Sequence, residues 1–316
     1  MQLYLSEKNK LAEIIGEMNL EKGNIQAECS ANRTVNLSTV EGVSHPELFQ
    51  AVAKVIADDT LENINAHDEK VTPRISFYSQ YGKRALDILL SSVAVVITLP
   101  VNLVLLVCTY FDVGRPVFFM QKRVGRNGKL FNIVKFRNMT NDTDENGVLL
   151  PSSQRVTKFG SFVRKNSLDE LLNFYSVLKG DMSLIGPRPL AIEYLDRYSD
   201  RHRMRYAVKP GLECPLLHKI DRKITWKEQF ENDIYYVENV SFSLDVKMAF
   251  ALVEMVFNRK SSTMRGKAIR GSFMGYYPDG SSINAQTVPF EYYEKALALL
   301  GYSDNEGKTD EVTVSQ

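Results

Sequence analysis

This chain of 316 residues has little with which to build a disulfide or zinc framework. Its three cysteines, Cys29, Cys108 and Cys214, stand far apart, and Cys108 lies inside an apolar run. That spacing excludes a disulfide scaffold and fits a reducing compartment. The four scattered histidines offer no Cys/His zinc spacing. The sequence also lacks a GxxxxGK phosphate loop, a GxGxxG fingerprint and any internal repeat, which removes P-loop enzymes, dinucleotide-binding domains and solenoids. With a formal net charge of +1 the chain as a whole is neither a polyanion nor a polycation.

Charge and hydrophobicity are instead concentrated locally. Residues 114–139 carry seven Lys/Arg (Arg115, Lys122, Arg123, Arg126, Lys129, Lys135 and Arg137) and no acid. Such a run points to phosphate-bearing partners, with a merely solvated basic strand pair as the bland alternative. Just before it, residues 88–111 read ILLSSVAVVITLPVNLVLLVCTYF, twenty-four residues without a charge. A bilayer core of about 30 Å needs roughly 20 such residues in a helix. More than eighty mostly polar residues precede the run, unlike a cleaved signal peptide. Three readings remain: a straight span, a buried core helix and a re-entrant hairpin. Pro100, in the middle of the run, favours the hairpin, because it removes an N–H and clashes with the preceding turn. Each half is then about 18 Å or less at 1.5 Å per residue, too short to cross. Lys83 and Arg84 on one flank, and Arg115, Lys122 and Arg123 on the other, place both ends on the cytoplasmic side.

Elsewhere the sequence divides into four parts. Residues 1–72 read as a small helical appendage ending in a linker. Ser44 and Glu47 form a capping-box pattern there, and Leu48, Ala51, Val52, Val55 and Ile56 follow at helical spacing. A shorter amphipathic piece covers Leu11, Ile14, Ile15 and Met18. The membrane hairpin occupies 73–112. A catalytic α/β domain spans 113–260, opening with a β-hairpin whose turn is Asn127-Gly128. Within it, a helix is expected from Ser167 to Lys179 with Gly180 as its stop, a polar helix over 191–206, and an apolar core or interfacial helix over 244–257. Residues 261–316 form a C-terminal extension with one short helix and an acidic, disordered tail.

Two carboxylates, Asp169 and Glu170, stand at the predicted helix start. Ser167 and Glu170 have capping-box spacing, and an acid near the N-terminus suits the helix dipole, so a structural explanation exists for both. The same geometry has a chemical use. Two adjacent carboxylates hold a hard cation such as Mg²⁺ against a diphosphate, and a carboxylate attacks phosphorus to form an acyl phosphate. Arg188 lies between two prolines in "IGPRP", which restricts its backbone and lowers the entropic cost of clamping phosphate. Lys135, Arg137 and Arg164 are further candidates to neutralise a diphosphate. A basic pocket beside a membrane hairpin implies a phosphorylated lipid meeting a phosphorylated soluble substrate.

The segments "KRALDILLSSVAVVITLP", "QKRVGRNGKLFNIVKFRNM", "SLDELLNFYSVLKGDMSLIGPRP", "KPG" and "WKEQFENDIYYVENVSFSLDVKM" occur in this order over residues 82–258. They resemble the bacterial sugar transferases of the monotopic phosphoglycosyl transferase family. The resemblance implies transfer of a sugar-1-phosphate from a nucleoside-diphosphate sugar, of the UDP type, to undecaprenyl phosphate, with release of UMP. It makes Asp169 the nucleophile of a covalent aspartyl-phosphosugar intermediate and Glu170 a Mg²⁺ ligand or proton acceptor. Lys135, Arg164 and Arg188 fall on basic positions near the diphosphate, and Pro100 on the family's helix break. The expected fold is a membrane-associated α/β domain with a re-entrant hairpin and interfacial helices, on the cytoplasmic face of the bacterial inner membrane. Its implied partners are inner-membrane lipid, the two substrates and a second copy or downstream glycosyltransferases in polysaccharide assembly; nucleic acid is not among them. Two departures stand out: Leu99-Pro100 replaces the family's Ser-Pro, and in residues 212–222 the family's arginine falls on Asp221, with Arg222 adjacent. The altered loop keeps a second class open, a catalytically silent scaffold of an assembly complex.

Overall fold

A computed structural model describes residues 33–40, 45–145, 147, 149–215, 224–257 and 271–302. In chain order its main elements are β1 (Thr34–Val35), α1 (His45–His67), α2 (Lys83–Val113), β2 (Phe118–Val124), β3 (Leu130–Phe136), α3 (Lys158–Lys165), α4 (Asn173–Lys179), β4 (Ser183–Ile185), β5 (Gly211–Glu213), α5 (Trp226–Asn239), α6 (Phe242–Phe257), β6 (Phe273–Tyr276), β7 (Ser282–Asn284), β8 (Val288–Pro289) and α7 (Phe290–Leu299). The strands form only two-stranded ribbons: β1–β8, β2–β3 and β6–β7 antiparallel, β4–β5 parallel. The elements fall into two compact units, one built from both chain ends and one from the middle.

The terminal unit unites segments that the sequence reading kept apart. Leu48, Val52 and Ile56, one face of α1, are buried with Met274, Ile283, Val288, Tyr292 and Ala296 from beyond residue 270. β1 pairs with β8, Val35 opposite Val288. The Tyr292 hydroxyl donates to Asp59 Oδ2 at 2.7 Å. Gly275 permits the helix to lie this close: a Cβ there would stand 2.5 Å from Ile56 Cγ2. α1 thus has a partner for its apolar stripe, and that partner is the C-terminal segment. The expected helix around Leu11 and the acidic tail lie outside the described residues, as does Ser44.

The middle unit is arranged around α2 and the β2–β3 ribbon. The ribbon has the expected turn, with Asn127 in the left-handed region (φ 57°), a conformation asparagine tolerates. α2 runs from Lys83 to Val113 with Pro100 in its interior, so the expected separation into two helices is absent from its hydrogen-bonded pattern. Among the described residues it is the one helix long and apolar enough to cross a membrane by length and composition, and 17% of its apolar stretch is buried. That exposure excludes a buried core helix. Leu89, Val93, Val96, Ile97, Val104 and Val107 are all exposed along it. The unit is therefore a mixed helix–strand domain carrying a lipid-compatible helix, a membrane-associated α/β domain.

Polar contacts fasten α2 at both ends. Asp245 of α6 accepts hydrogen bonds from Tyr78 Oη (2.5 Å), Lys83 Nζ (2.6 Å) and Tyr236 Oη (2.7 Å). Arg84 donates to the carbonyls of Val177 and Leu178 at 2.6 and 2.7 Å, capping the C-terminus of α4 where a cation suits the dipole. At the far end, Thr157 Oγ1 donates to Asp112 Oδ2 at 2.6 Å, and Leu105 packs with Phe136 and Val163.

Candidate active site

Three elements bring the acid pair and its cations together. β3 carries Lys135, a turn of 3-10 helix from Leu168 to Glu170 carries both carboxylates, and the loop after β4 carries Arg188. Strand alternation puts Lys135 on the face of β3 opposite Val134 and Phe136.

The helix start differs from the sequence expectation in an instructive way. Ser167 has a left-handed backbone (φ 54°) and makes no capping bond. A 3-10 turn follows, and the α-helix begins only at Asn173, ending at Gly180 (φ 103°) as expected. The capping box that fits Ser167 and Glu170 on spacing is not formed. The same spacing at Thr225 and Glu228 does form one, at the start of α5. The difference lies in the surroundings: Glu170 is drawn to Lys135 and Arg188, whereas Glu228 Oε2 accepts from the backbone N–H of Thr225. Glu170 Oε1 accepts from Lys135 Nζ at 2.8 Å and also from Arg188 Nη2. Neither acid is then explained by helix capping.

The two adjacent carboxylates are electrostatically unlike. Burial by itself would raise the Glu170 carboxyl, yet Arg188 and Lys135 outweigh it and hold the group at about 2. Asp169, 8% exposed, has Lys135 Nζ only at 3.9 Å. Its carboxyl is raised above the ordinary value, chiefly by burial, with Lys135 opposing and Glu170 adding repulsion. One acid is thus locked in a salt bridge, while its neighbour is desolvated and keeps an uncommitted charge. Desolvation with nearby cations is how a carboxylate is made reactive towards an electrophile.

Arg188 is fixed from several sides. Nη1 donates to the Leu212 carbonyl at 2.9 Å and lies 3.7 Å from Glu213 Oε2. Its pKa is raised by Glu170 and Glu213 against the effect of burial. The parallel β4–β5 ribbon supports the loop from below, and its backbones approach so closely that a Cβ on Gly211 would stand 2.2 Å from Gly186 N.

Arg164 donates from Nε to Asn138 Oδ1 at 2.9 Å and acts electrostatically on Asp169. Arg137 does not join the site. It is 9% exposed, and its Nη2 donates to the carbonyl of Val113 at the end of α2. Strand alternation alone would put Arg137 on the Lys135 face, but β3 ends at Phe136, and past the strand Arg137 turns to the last carbonyls of α2. Arg222 lies outside the described residues. The polar helix expected over 191–206 is broken into a 3-10 stretch (Ile192–Arg197), one α turn (Asp200–Arg203) and a second 3-10 turn (Met204–Ala207).

Sequence reasoning missed Arg123 as a site residue. Its guanidinium bonds only Gln121 Oε1 among the described residues, at 2.5 Å. Its pKa is lowered, first by burial and then by Arg188, with Glu193 and Glu170 opposing. The available signal was β period: with Lys135 on a hairpin whose turn is fixed, Gln121 and Arg123 fall on the Lys135 face.

The model of the bacterial sugar transferase family matches residues 78–259. Among curated proteins, the chain is 46% identical over 144 residues to the uncharacterized sugar transferase EpsL of Bacillus subtilis, covering 46% of this chain and 71% of that one. It is 35% identical over 183 residues to UDP-N-acetylgalactosamine-undecaprenyl-phosphate N-acetylgalactosaminephosphotransferase of Aeromonas hydrophila, over 55% of this chain and 43% of that one. It is also 35% identical over 196 residues to UDP-glucose:undecaprenyl-phosphate glucose-1-phosphate transferase of Klebsiella pneumoniae, over 57% and 41%. The chain thus spans about two-fifths of the length of the latter two relatives. The matched stretch contains Asp169, Glu170, Lys135, Arg164 and Arg188 together, and on that match the chain belongs to the bacterial sugar transferase family.

Proposed function

We propose that this transferase moves a sugar-1-phosphate from a UDP-sugar to undecaprenyl phosphate at the cytoplasmic face of the inner membrane. The observation that carries the reading is the contrast within the acid pair: a buried, uncommitted Asp169 beside a Glu170 locked between Lys135 and Arg188.

In the first step an Asp169 oxygen attacks the β-phosphorus of the donor. The bond from that phosphorus to the bridging oxygen breaks, and UMP leaves with the electron pair. In the second step an oxygen of the lipid phosphate attacks the same phosphorus, the acyl-phosphate bond breaks, and Asp169 is regenerated as a carboxylate. Lys135 and Arg188 face the phosphoryl oxygens and stabilise charge as it shifts. Glu170 sets where those two cations sit. Arg164, bonded among the described residues only to a neutral amide, has its charge free for substrate.

Magnesium fits this donor set. No group of three or more His, Cys, Asp or Glu able to hold a metal occurs among the described residues. Mg²⁺ does not require one, because it keeps several waters and takes one or two carboxylates plus substrate phosphates. Asp169 and Glu170 would hold it, and it would supply neutralisation of the diphosphate.

The re-entrant reading of α2 keeps its support despite the continuous helix. A straight 31-residue helix is about 46 Å long at 1.5 Å per residue, well over a hydrocarbon core of about 30 Å. Arg84 caps the end of α4, while Leu99, Leu103 and Leu106 share a cleft with Leu172, Tyr175 and Lys179 of the same short segment. Residues 84 and 106 would stand about 33 Å apart on a straight helix, whereas α4 with its seven residues is only about 10 Å long. A bend at Pro100, with α4 in its crook, brings both arms to that helix.

The test is UMP release by the purified full chain with Mg²⁺ and a panel of UDP-sugars, with and without undecaprenyl phosphate. Lipid-dependent turnover with one donor, and a stoichiometric burst without lipid, are expected. Intact-mass detection of a phosphosugar adduct on wild type but not on Asp169→Asn would identify the intermediate. A protein that releases no UMP from any donor, with or without lipid, overturns the enzymatic reading in favour of a scaffold.

A further inference from the structure

Arg205 is the largest fully buried side chain in the molecule's described residues, at 2% exposure, and no step above uses it. It sits in the 3-10 turn Met204–Ala207. Nε and Nη2 donate to Asp233 Oδ2 at 3.0 and 2.6 Å, and Nη1 to the Tyr198 hydroxyl at 3.2 Å. The guanidinium carbon lies 5.5 to 5.7 Å from the ring centroids of Tyr198, Tyr206 and Phe230. Nη2 makes one more bond, to the backbone carbonyl of Arg188 at 2.9 Å.

That last bond separates this pair from an ordinary structural one. A buried ion pair is a poor source of stability, since apolar packing of the same volume often does as well. Apolar packing cannot donate to a carbonyl, however. Arg188 lies between Pro187 and Pro189, neither of which has an N–H, so local donors for this loop are scarce. Arg205 supplies one. Asp233, itself fully buried on α5, fixes the guanidinium in the plane from which Nη2 reaches Arg188. The same residue's side chain bonds Glu170 at its other end. A continuous line of bonds therefore runs from Asp233 through Arg205 and Arg188 to Glu170.

We infer that Arg205 is a positioning residue, which sets the Arg188 guanidinium against the donor diphosphate by holding the Arg188 carbonyl. This rests on the phosphate-binding role proposed for Arg188. A lysine at 205 keeps the charge but presents one nitrogen, unable to hold Asp233, Tyr198 and the carbonyl in a single plane.

The experiment is a double-mutant cycle of Arg205→Lys and Arg188→Lys, read as kcat/KM for the UDP-sugar in steady-state, lipid-dependent UMP release. Folding is checked by gel filtration and thermal melting. Arg205→Lys is expected to lower donor kcat/KM by about tenfold, mainly through KM, and the double variant to lose no more than Arg188→Lys alone. Losses that multiply, or an Arg205→Lys protein with unchanged donor kcat/KM, overturn the inference. Should Arg205→Lys fail to fold, Tyr198→Phe removes one of the anchoring bonds and enters the same cycle, with a smaller loss and the same non-additivity expected. Arg201→Lys, which weakens the ion pair with Glu231 at 2.8 Å, controls for loss of a structural pair and leaves donor kcat/KM unchanged. If Arg188→Lys itself has no effect on the donor, it is the role of Arg188 that fails; if it has an effect and Arg205 adds to it independently, only the present inference does.

Discussion

Two charge clusters of the middle unit, each with basic side chains gathered around acidic ones, are left in opposite states. At Glu231 every charge is used: Arg201 donates to it through Nε and Nη2 at 3.0 and 2.8 Å, and His202 Nε2 lies 2.9 Å away. Around Asp169 and Glu170, two guanidiniums bond only neutral amides among the described residues, Arg123 on Gln121 and Arg164 on Asn138. The first cluster is closed, as a structural cluster is when its bonds are its purpose. The second is open, with cations held in place by groups that leave their charge uncancelled. Arg123 is half-buried and Arg164 exposed; holding the unspent charge of Arg123 away from water is unfavourable in the free protein and becomes favourable when a polyanion binds. The lesson concerns how to read such sites: the count of charges says less than which of them already have opposite partners.

The sharpest way to break this comparison is at Asp169. Asp169→Asn keeps the shape and removes the one uncommitted carboxylate, so UMP release should fall by on the order of 10³-fold or more while the melting temperature holds or rises. The melting temperature does not fall, because burial outweighs the help Asp169 receives from Lys135 at 3.9 Å, so the carboxylate removed is one whose charge disfavours the fold. Retention of substantial turnover would exclude the nucleophile role. Next in size come the open cations. Arg123→Gln should lower donor kcat/KM by roughly tenfold, as loss of one charge-assisted phosphate contact does, with little change in stability. Glu231→Gln in the closed cluster should do the reverse: unchanged donor kinetics and a melting temperature about 2 °C lower, modest because the pair is partly solvated. Equal effects of these two variants on donor kinetics would dissolve the distinction between the clusters.

Much of the site was legible because its signals are local. The charge-free run, the Asn127-Gly128 turn, the adjacent acids, the proline-flanked Arg188 and the Gly180 stop are each set by a few consecutive residues. What was not legible depends on partners far away in sequence. Ser167 and Glu170 have the same spacing as Thr225 and Glu228, and only the position of Lys135 and Arg188 in space decides that the first pair is not a cap. Arg137 and Lys135 are equivalent as letters in a basic run, yet one meets the end of α2 and the other the acid pair. The terminal unit is the extreme case: α1 shows an apolar stripe, but its partner strands follow more than two hundred residues later, outside the stretch that the family shares.

The smallest predicted effect is in acid. Glu170 and Glu231 are both held at about 2, below the ordinary glutamate value of 4.5, so each stabilises the fold above that value. That contribution is lost as the pH falls from about 4.5 towards 2. Asp169 has the opposite sign: its folded value is raised, so its ionised form disfavours the fold, and protonation on acidification relieves this. The same proton abolishes its nucleophilicity. Activity should therefore fail at a higher pH than structure does. In a paired titration the acid limb of the UMP burst should lie above 3.8, the ordinary aspartate value, while circular dichroism is still native. Glu231→Gln should flatten the acid limb of stability and leave the limb of activity where it was. A burst that declines only along with the fold would mean that Asp169 is not the group whose charge the first step needs, and the open cluster would lose the asymmetry that sets it apart from the closed one.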